Sequence, residues 1–346
     1  MDDLIARPRM LKQVNLSSIR RVIKNKGTAT RAEIAMETQI SSTTVRSLLT
    51  EMQNNGEIIS IGYDESSGGR KAERYRFKMD RYYGVAFCTT QNMIHYLVVD
   101  IFGGIVEKGK LHVRKGNLKE ALLRFLDYLV AREEIKSIGI GVPGVVDGGS
   151  YLRKNQQNDE YIKVDIAGFL AQRYGVPVIL ENDINAITIG FARCYEKQLP
   201  DYNSENTNIA FVFFERECIS CGFIAGGRII RGWNNYSGEL STIPSEGQKS
   251  LVELMAEPMD NARYTALVVK IICWICAILN PQIIALGGPN FRKKCTRQIS
   301  NSLHILLPDK MSAEILHSPD IWHDYYEGMA FLTAGKIFND VQFIKE

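Results

Sequence analysis

The chain of 346 residues has few cysteines, no long uncharged apolar run and no basic start followed by an apolar core. The cysteines number seven, an odd count, and they are spread from Cys88 to Cys295, which argues against a disulfide framework and for reduced thiols. The longest apolar run, Ala266 to Leu279, is interrupted by Lys270 and is too short for a membrane span, so we expect a buried helix there. Since no secretory signal is visible either, we expect a cytoplasmic protein without a membrane partner.

Two CxxC spacings, at Cys218 and Cys221 and at Cys273 and Cys276, could in principle serve a metal. The second pair lies in the apolar run, where a spacing of three puts both thiols on one helix face. Small buried hydrophobic side chains explain this pair without metal. A four-cysteine zinc site would form only if the fold brought the two pairs together.

Residues 30–60 have the apolar spacing of two short helices joined by a tight turn, which predicts a helix-turn-helix. The positions expected to face its core are Ile34, Ala35, Ile40, Val45, Leu48, Leu49 and Met52. Upstream, apolar residues from Leu16 to Ile23 predict a further helix that ends at Gly27.

The second of the two short helices carries small hydroxyl side chains and one arginine on its exposed face. These groups suit a DNA major groove, where they can meet phosphates and base edges without steric conflict. The predicted DNA contacts are Ser41, Ser42, Thr43, Thr44, Arg46 and Ser47. Ser41 or Ser42 could instead be a helix N-cap.

The segment GYDESSGGRKAERYRF that follows predicts a two-stranded hairpin closed at Gly68 and Gly69, a wing with basic residues on or beside it. We expect Gly69, Arg70 and Lys71 to approach backbone phosphate or a minor groove. Residues 1–78 hold 14 Lys and Arg against 9 Asp and Glu, a net charge of +5, whereas the whole chain carries +3. The positive charge is therefore concentrated at the predicted DNA-binding end, although a winged helix that contacts only protein is the alternative.

From Tyr82 onward, strands alternate with helices, and polar residues collect where strands end. This alternation predicts an α/β architecture with ligands bound at the strand ends. The length, at about 150 residues per domain, predicts two or three domains in all.

Four motifs in this part carry a family resemblance. They are GIGVPGVVD (Gly139 to Asp147), VPVILENDINA (Val176 to Ala186), GFIAGGRIIRGWNNYSGEL (Gly222 to Leu240) and NPQIIALGGP (Asn280 to Pro289). In this order and spacing they resemble the ROK family of sugar kinases and sugar-responsive repressors, and the predicted winged helix-turn-helix makes the chain similar to the repressor branch.

The resemblance implies an actin-like, two-lobed α/β ATPase fold that binds sugar between its lobes. The winged helix-turn-helix would occupy residues 1–78 and the ROK-like domain residues 79–346. Within the latter, the small lobe would comprise about 79–190 plus a C-terminal helix at about 327–346, and the large lobe about 191–326.

The same resemblance implies a set of sugar-binding residues rich in amides and carboxylates, which suit a polyol. They are Gly144, Asn158, Asn182, Asp183 and Glu239. In kinase relatives the aspartate also acts as catalytic base. Asn182 and Asp183 could alternatively do no more than cap the helix that follows them.

The positions at which relatives hold ATP and zinc have changed in this chain. The stretches that would cradle phosphate, residues 87–91 and 214–220, contain no glycine, and the second contains Glu215 and Glu217. Thr242 stands where relatives have a histidine that binds sugar and zinc, and residues 245–257 contain no Cys or His. We therefore expect neither ATP nor zinc as a cofactor and no catalytic residues.

The leading expectation is a sugar-responsive DNA-binding regulator, a homodimer or homotetramer that represses carbohydrate genes until a sugar or sugar phosphate releases it. One alternative is a ROK sugar kinase with residual ATP-dependent activity. Another is a ligand-independent DNA-binding protein that uses the ROK domain only to oligomerise. The sequence leaves activation in place of repression open.

Overall fold

The computed structural model describes residues 2–64, 71–90, 93–112, 118–154, 161–198 and 206–338. Along the chain these residues form an N-terminal head (residues 2–77), a first lobe (83–182) and a second lobe (209–317), with two helices between the lobes. The predicted DNA contacts Gly69 and Arg70 and the predicted sugar contact Asn158 lie outside the described residues.

The head consists of three helices and a small sheet. Its elements are α1 (Asp2–Lys26), β1 (Ala29–Thr30), α2 (Arg31–Thr38), α3 (Ser42–Asn54), β2 (Ile58–Tyr63) and β3 (Glu73–Phe77). The three strands are antiparallel in the order β1-β3-β2. Helix α1 therefore ends just before Gly27, as predicted, and this glycine has the positive φ of 74° that suits a chain leaving a helix.

Local capping fixes the turn between α2 and α3. Thr30 and Glu33 form a capping box at the start of α2, and Gln39 after it adopts a left-handed conformation with φ 57°. The Ser41 hydroxyl accepts the N–H of Thr44 at 3.2 Å and caps α3. Three residues, Gln39 to Ser41, are thus enough to reverse the chain.

The apolar face predicted for the helix pair is confirmed. Ile34, Val45, Leu49 and Met52 are almost fully buried, and the partly buried Ile40 packs against them. The rest of the head core comes from α1 and the sheet, namely Ile19, Val22, Ile23, Ala29, Leu48, Ile58, Tyr75 and Phe77. Below this core, Arg20 pairs with the buried carboxylate of Glu57 at 2.6 Å.

The first lobe contains two sheets and two helices. Its elements are β4 (Tyr83–Thr89), β5 (Met93–Val99), β6 (Ile105–His112), α4 (Leu118–Arg132), β7 (Ile135–Val142), β8 (Val145–Asp147), β9 (Ser150–Lys154), β10 (Tyr161–Asp165), α5 (Ala167–Tyr174) and β11 (Val178–Asn182). The main sheet has the order β11-β7-β4-β5-β6, parallel from β11 to β4 and antiparallel beyond, and β10-β9-β8 form the smaller sheet. Leu122, Leu126 and Leu129 of α4 are buried against one face of the main sheet.

The second lobe repeats this arrangement. Its elements are β12 (Ile209–Glu215), β13 (Cys218–Ala225), β14 (Arg228–Ile229), α7 (Leu251–Ala256), α8 (Asn261–Leu279), β15 (Ile283–Gly287), α9 (Thr296–Leu306) and β16 (Glu314–His317). The sheet order is β14-β13-β12-β15-β16, and β12, β15 and β16 are parallel whereas β12, β13 and β14 are antiparallel. Read from the opposite edge, this is the topology of the first main sheet.

Two helices, α6 (Asp183–Glu196) and α10 (Ile321–Ala334), fill the space between the main sheets. Helix α10 lies on β4 and β7, and α6 lies on β12 and β13. The two helices touch through glycines: a Cβ added to Gly190 would stand 1.7 Å from the carbonyl oxygen of Asp324, and one added to Gly328 would stand 1.9 Å from that of Ala186. The lobes are therefore joined by backbone packing that admits no side chain at the crossing.

Helix α8 carries the longest apolar run of the sequence. By length and composition it is the one helix in the described ranges that could cross a membrane, yet half of its apolar window is buried. Residues such as Val268 and Ile272 lie in the core of the second lobe beside β12 and β15. The buried helix predicted from the sequence is confirmed.

Candidate functional site

Four of the five predicted sugar contacts lie around the junction of β11 and α6, at a place between the lobes that we call the cleft. Strand β11 ends at Asn182 and α6 begins at Asp183. Gly144 lies in the turn after β7, the strand that pairs with β11. The fourth residue, Glu239, comes from the second lobe. Residues separated by almost a hundred positions are thus brought to one place by the fold.

The side chain of Asn182 forms hydrogen bonds that join three of these segments. Its side-chain oxygen accepts the N–H of Asn185 at 3.0 Å and so caps α6. Its amide nitrogen donates to the carbonyl of Gly144 and to the carboxylate of Asp183, both at 3.1 Å. The capping role considered from the sequence is therefore present for Asn182, and one lone pair of its oxygen remains for a further donor.

Asp183 accepts the N–H of Ile184 at 2.9 Å besides the amide of Asn182. Burial raises the pKa of Asp183 to about 7, and repulsion from Glu239 and Glu215 also raises it. The hydrogen bond from the N–H of Ile184 acts in the opposite direction and lowers it. Burial also raises the pKa of Glu239. Among the described residues no basic side chain pairs with either carboxylate, so the cleft concentrates proton-accepting groups.

The backbone beside β13 positions Glu239. Gly238 accepts the N–H of Cys221 at 2.8 Å, and Glu239 forms an isolated antiparallel bridge with Ser220. Gly238 has φ 90°, and a Cβ at this position would lie 1.7 Å from the Cys221 carbonyl oxygen. Only glycine fits there, which explains why the motif residue before Glu239 has no side chain.

Two residues of the cleft were not predicted from the sequence. Glu181, just before Asn182, is buried, and its carboxylate accepts a hydrogen bond from Arg231 of the second lobe. The polar cluster at the end of β11 pointed to Glu181, but no local pattern could have indicated that Arg231 is its partner.

The stretches compared with phosphate loops are occupied by internal contacts. Thr89 is buried and donates its hydroxyl proton to the carbonyl of Gly141 at 2.8 Å, and the thiol of Cys88 lies 3.9 Å from the carbonyl oxygen of Tyr325. Strands β12 and β13 are joined by a turn at Arg216 and Glu217. A Cβ on Gly288 would lie 2.4 Å from the Phe214 carbonyl oxygen, so the strand-end packing by itself accounts for this glycine.

Each of the two CxxC pairs has one buried and one half-buried thiol. Cys221 and Cys276 are buried in the core of the second lobe, and burial raises the pKa of both thiols. In the described part of the chain, no group of three or more His, Cys, Asp or Glu side chains has the arrangement of a metal site.

The exposed face of α3 is the second candidate site. Ser42, Thr43, Arg46 and Ser47 are exposed, whereas Thr44 is half-buried. The Ser41 hydroxyl is engaged with Thr44, to whose own hydroxyl it lies at 2.8 Å. Within the described residues the Arg46 guanidinium has neither a hydrogen bond nor an ion pair.

The basic residues near the predicted wing divide into two kinds. Lys71 and Arg76 are exposed. Arg74 instead joins the strand to the rest of the head, because it bonds Asp64 at 2.8 Å and approaches Glu33 at 3.3 Å. These carboxylates hold the pKa of Arg74 above its usual value, with the hydrogen bond to Asp64 as the main cause. Arg74 therefore has an internal role.

The head meets the lobes at Phe338, just after α10. Its ring stacks on Phe77 with centroids 5.2 Å apart and an interplanar angle of 24°, and the Arg20 guanidinium lies 4.8 Å from the ring centre. Tyr82 adds an edge contact at 6.1 Å. One aromatic side chain thus connects α1 and β3 of the head to the end of the interlobe helix.

Comparison with known proteins places these features in a family. Residues 82–251 match the model of the ROK family. The xylose repressor of Bacillus spizizenii (strain ATCC 23059 / NRRL B-14472 / W23) is 26% identical over 260 residues, which cover 71% of this chain and 64% of that protein. The transcriptional dual regulator NagC of Escherichia coli (strain K12) is 22% identical over 245 residues, covering 68% and 59%. The chain thus matches less than two thirds of the length of these relatives.

A solved structure supports the fold over nearly the whole chain. The crystal structure of a ROK family transcriptional regulator, a homologue of the E. coli MLC protein, has a TM-score of 0.70 at 16% identity and covers 95% of this chain and 97% of its own. The two-lobed actin-like α/β domain expected from the sequence is thereby confirmed. The chain thus matches the ROK family over residues 82–251 and shares the fold of a ROK regulator.

Proposed function

We propose that this protein is a sugar-responsive, DNA-binding transcriptional regulator that represses carbohydrate genes in the cytoplasm. The observation that carries the proposal is the exposed polar face of α3, held by a capped helix-turn-helix in front of a ROK domain. The head would be a winged helix-turn-helix, with β2 and β3 as the base of the wing. The names of the relatives, xylose repressor and NagC, support the same assignment.

The chemistry of α3 supports DNA as the partner of the head. Arg46 is free to donate two hydrogen bonds to a guanine edge or to phosphate, and Ser42, Thr43 and Ser47 can donate to phosphate or to bases. Lys71, and Gly69 and Arg70 beside it in sequence, would contact backbone or a minor groove. A homodimer or homotetramer would present two such heads to a pseudo-palindromic operator.

The cleft supports a polyol as effector. Asn182, Asp183 and Glu239 offer lone pairs from both lobes to hydroxyl donors, and the backbone of Gly144 lies beside them. Asn158 would complete the set. A ligand that contacts both lobes favours one lobe arrangement over another, which is the condition for shifting the protein between two states.

The route from cleft to head would run through the interlobe helices. Helix α6 begins in the cleft at Asp183 and touches α10 at Gly190 and Gly328. Phe338 follows α10 and packs on the head. A shift of α6 on sugar binding would therefore change the position of the head relative to the lobes. The two heads of a dimer would then no longer match the spacing of their DNA half-sites.

We propose no catalytic role, because the stretches at Cys88 and Thr89 and at Glu215 and Glu217 offer no glycine-rich phosphate cradle. Zinc is not proposed either. Thr242 stands where relatives have a ligating histidine, and residues 245–257 contribute carboxylates of which Glu253 and Glu257 already bond Ser250 and Lys249.

In vitro selection from a random duplex library with the full chain would test the DNA assignment. We expect one palindromic sequence class to be enriched, and fluorescence anisotropy on that duplex to show weaker binding when D-xylose or N-acetylglucosamine is added. Failure to enrich any sequence would contradict the proposal. An ADP-release assay with the same sugars tests the kinase alternative, which steady turnover would favour.

A thermal-shift screen separates the sensor from the third possibility, a ROK domain that only oligomerises. A sugar that binds the native state must raise the melting temperature. If selection finds an operator but no sugar or sugar phosphate changes the melting temperature or the operator affinity, the protein is a ligand-independent DNA binder.

A further inference from the structure

The carboxylate of Glu181 is the most buried charge of the cleft, with 4% of its side chain exposed. One oxygen accepts the backbone N–H of Asn182 at 3.1 Å and the side-chain amide of Asn185 at 3.0 Å. The other oxygen accepts the guanidinium of Arg231. A buried carboxylate of this kind needs a charged partner, and Arg231 supplies it.

Arg231 comes from the opposite lobe, in a segment that we call the strap (residues 230–241). The strap is fastened to β13 at both ends, because Ile230 donates to the carbonyl of Phe223 at 2.8 Å and Gly238 accepts from Cys221 at 2.8 Å. Its two sides are joined where Ser237 donates to the Arg231 carbonyl at 3.1 Å. These backbone bonds, together with the Ser241 hydroxyl, which accepts the N–H of Ile219 at 2.8 Å and donates to its carbonyl at 3.1 Å, hold the strap to its own lobe.

The ion pair between Arg231 and Glu181 adds a connection of another kind, because it crosses the cleft. Glu239 lies in the same strap as Arg231, and Asn182 and Asp183 directly follow Glu181. The pair consequently fixes the separation between the two groups of side chains that face each other in the cleft.

We propose that Arg231 is a positioning residue for effector recognition: through Glu181 it holds the strap, and with it Glu239, at the correct distance from Asn182 and Asp183. The inference rests on the proposed function in taking the effector to be a sugar. Arg231 itself need not touch the ligand, since its guanidinium is engaged with Glu181.

The test compares the parent with Arg231→Gln, with the conservative Arg231→Lys and with the control Arg228→Gln, which removes an exposed arginine three positions earlier on β14. Calorimetric titration with D-xylose and N-acetylglucosamine measures affinity. Hydrogen exchange of peptides covering residues 181–186 and 230–241 measures how readily the backbone opens on the two sides of the cleft in the absence of ligand. We expect Arg231→Gln to weaken sugar binding by about tenfold and to speed exchange on both sides of the cleft, with partial recovery in Arg231→Lys and none of these effects in Arg228→Gln.

The double variant Glu181→Gln with Arg231→Gln separates positioning from stability. It removes the buried charge together with its partner, so the stability lost in Arg231→Gln should largely return. Sugar affinity should stay low, because the connection across the cleft is still absent. Parental sugar affinity in the double variant would overturn the proposal, since Arg231 would then act only by neutralising Glu181.

The exchange measurement keeps this inference distinct from the proposed function. If the parent binds neither sugar, the sensor assignment fails, and exchange alone decides the role of Arg231. Faster exchange on both sides of the cleft in Arg231→Gln supports the connection, and exchange unchanged from the parent overturns it.

Discussion

The head and the cleft use their polar side chains in opposite ways. On α3, the side chains of Ser42, Arg46 and Ser47 project into solvent. In the cleft, Glu181 and Asn182 are already bonded to several protein groups. A partner of the head therefore meets free groups. A ligand of the cleft meets groups that are already bonded to the protein, so its binding acts on the elements that carry those bonds.

The two regions also differ in how far along the chain their contacts reach. Most of the head's core comes from residues 2–77 and continues into the lobes beside Phe77, and the head's caps join residues three positions apart. The cleft needs Gly144, Asn182 and Glu239, and the two helices between the lobes hold it together. Damage to the helix crossing should therefore disable the cleft while the head remains folded.

The largest expected effect comes from Gly190→Ala, which tests this independence. The added methyl would occupy the space of the Asp324 carbonyl, so we expect the free energy of unfolding of the lobes to fall by about 3 kcal/mol. All three tryptophans lie in the lobes or α10, so urea denaturation followed by tryptophan fluorescence reports on this part of the molecule.

The matched control is Gly168→Ala, also in a helix but with its nearest neighbour atom 3.8 Å from the added carbon. Here alanine should stabilise by up to about 1 kcal/mol through helix propensity. Equal responses of the two variants would mean that the crossing is not tightly packed. Loss of head structure together with the lobes would contradict the contrast between the two regions.

Arg46→Ala should give the next largest effect, and only in the head. We expect operator affinity to fall by about 2 kcal/mol and discrimination between bases to relax, while stability changes by less than about 0.5 kcal/mol. Fluorescence anisotropy on the selected duplex measures this, with exposed Arg31→Ala on α2 as control. Unchanged affinity would remove α3 from the role of recognition helix.

The head was largely predictable from sequence because its signals are local. The apolar period from Ile34 to Met52 and the cap at Ser41 specify two helices and a turn without reference to the rest of the chain. The internal role of Arg74 was not predictable, since its partners Asp64 and Glu33 are reached only after the sheet has formed.

The cleft was predictable only in part. The motif around Asn182 indicated a polar strand end, and family resemblance supplied the roles. Contacts across the lobes, such as Arg231 with Glu181, depend on how the two sheets sit on α6 and α10. The same holds for the repeated topology of the two main sheets, because antiparallel and parallel neighbours cannot be told apart from strand periodicity.

A smaller effect is expected from Asp183→Asn, which probes burial in the cleft. The pKa of Asp183 is raised from 3.8 to about 7, so the folded protein binds a proton that the unfolded chain has released. This contribution to stability is therefore lost as the pH rises from about 4 through 7. Relative to the variant, the parent should lose about 1 kcal/mol of unfolding free energy between about pH 6 and 8.

Urea denaturation of both proteins at several pH values measures this difference. Asp324, whose pKa burial raises to about 6, titrates in both proteins and cancels in the comparison. If the free energies of unfolding of parent and variant changed equally with pH, Asp183 would be hydrated and burial would not raise its pKa. The variant should also leave operator affinity unchanged while it abolishes the sugar response, which keeps cleft and head separable.

Phe338→Ala should have the smallest effect on either region and acts on the link between them. The ring stacks on Phe77 and lies 4.8 Å from the Arg20 guanidinium, and its aromatic and cation–π contacts in the described residues include neither α3 nor the cleft residues. Sugar affinity and sugar-free operator affinity should therefore each stay within about twofold of the parent. The change in operator affinity caused by sugar should shrink by about 1 kcal/mol, because the head would no longer follow α10.

Phe102→Ala removes a neighbouring ring that contacts Phe77 at 6.1 Å and serves as control. If Phe338→Ala keeps the full sugar response, the head senses the lobes by another contact. If it instead weakens sugar binding, the head and the cleft are less independent than their use of polar groups indicates.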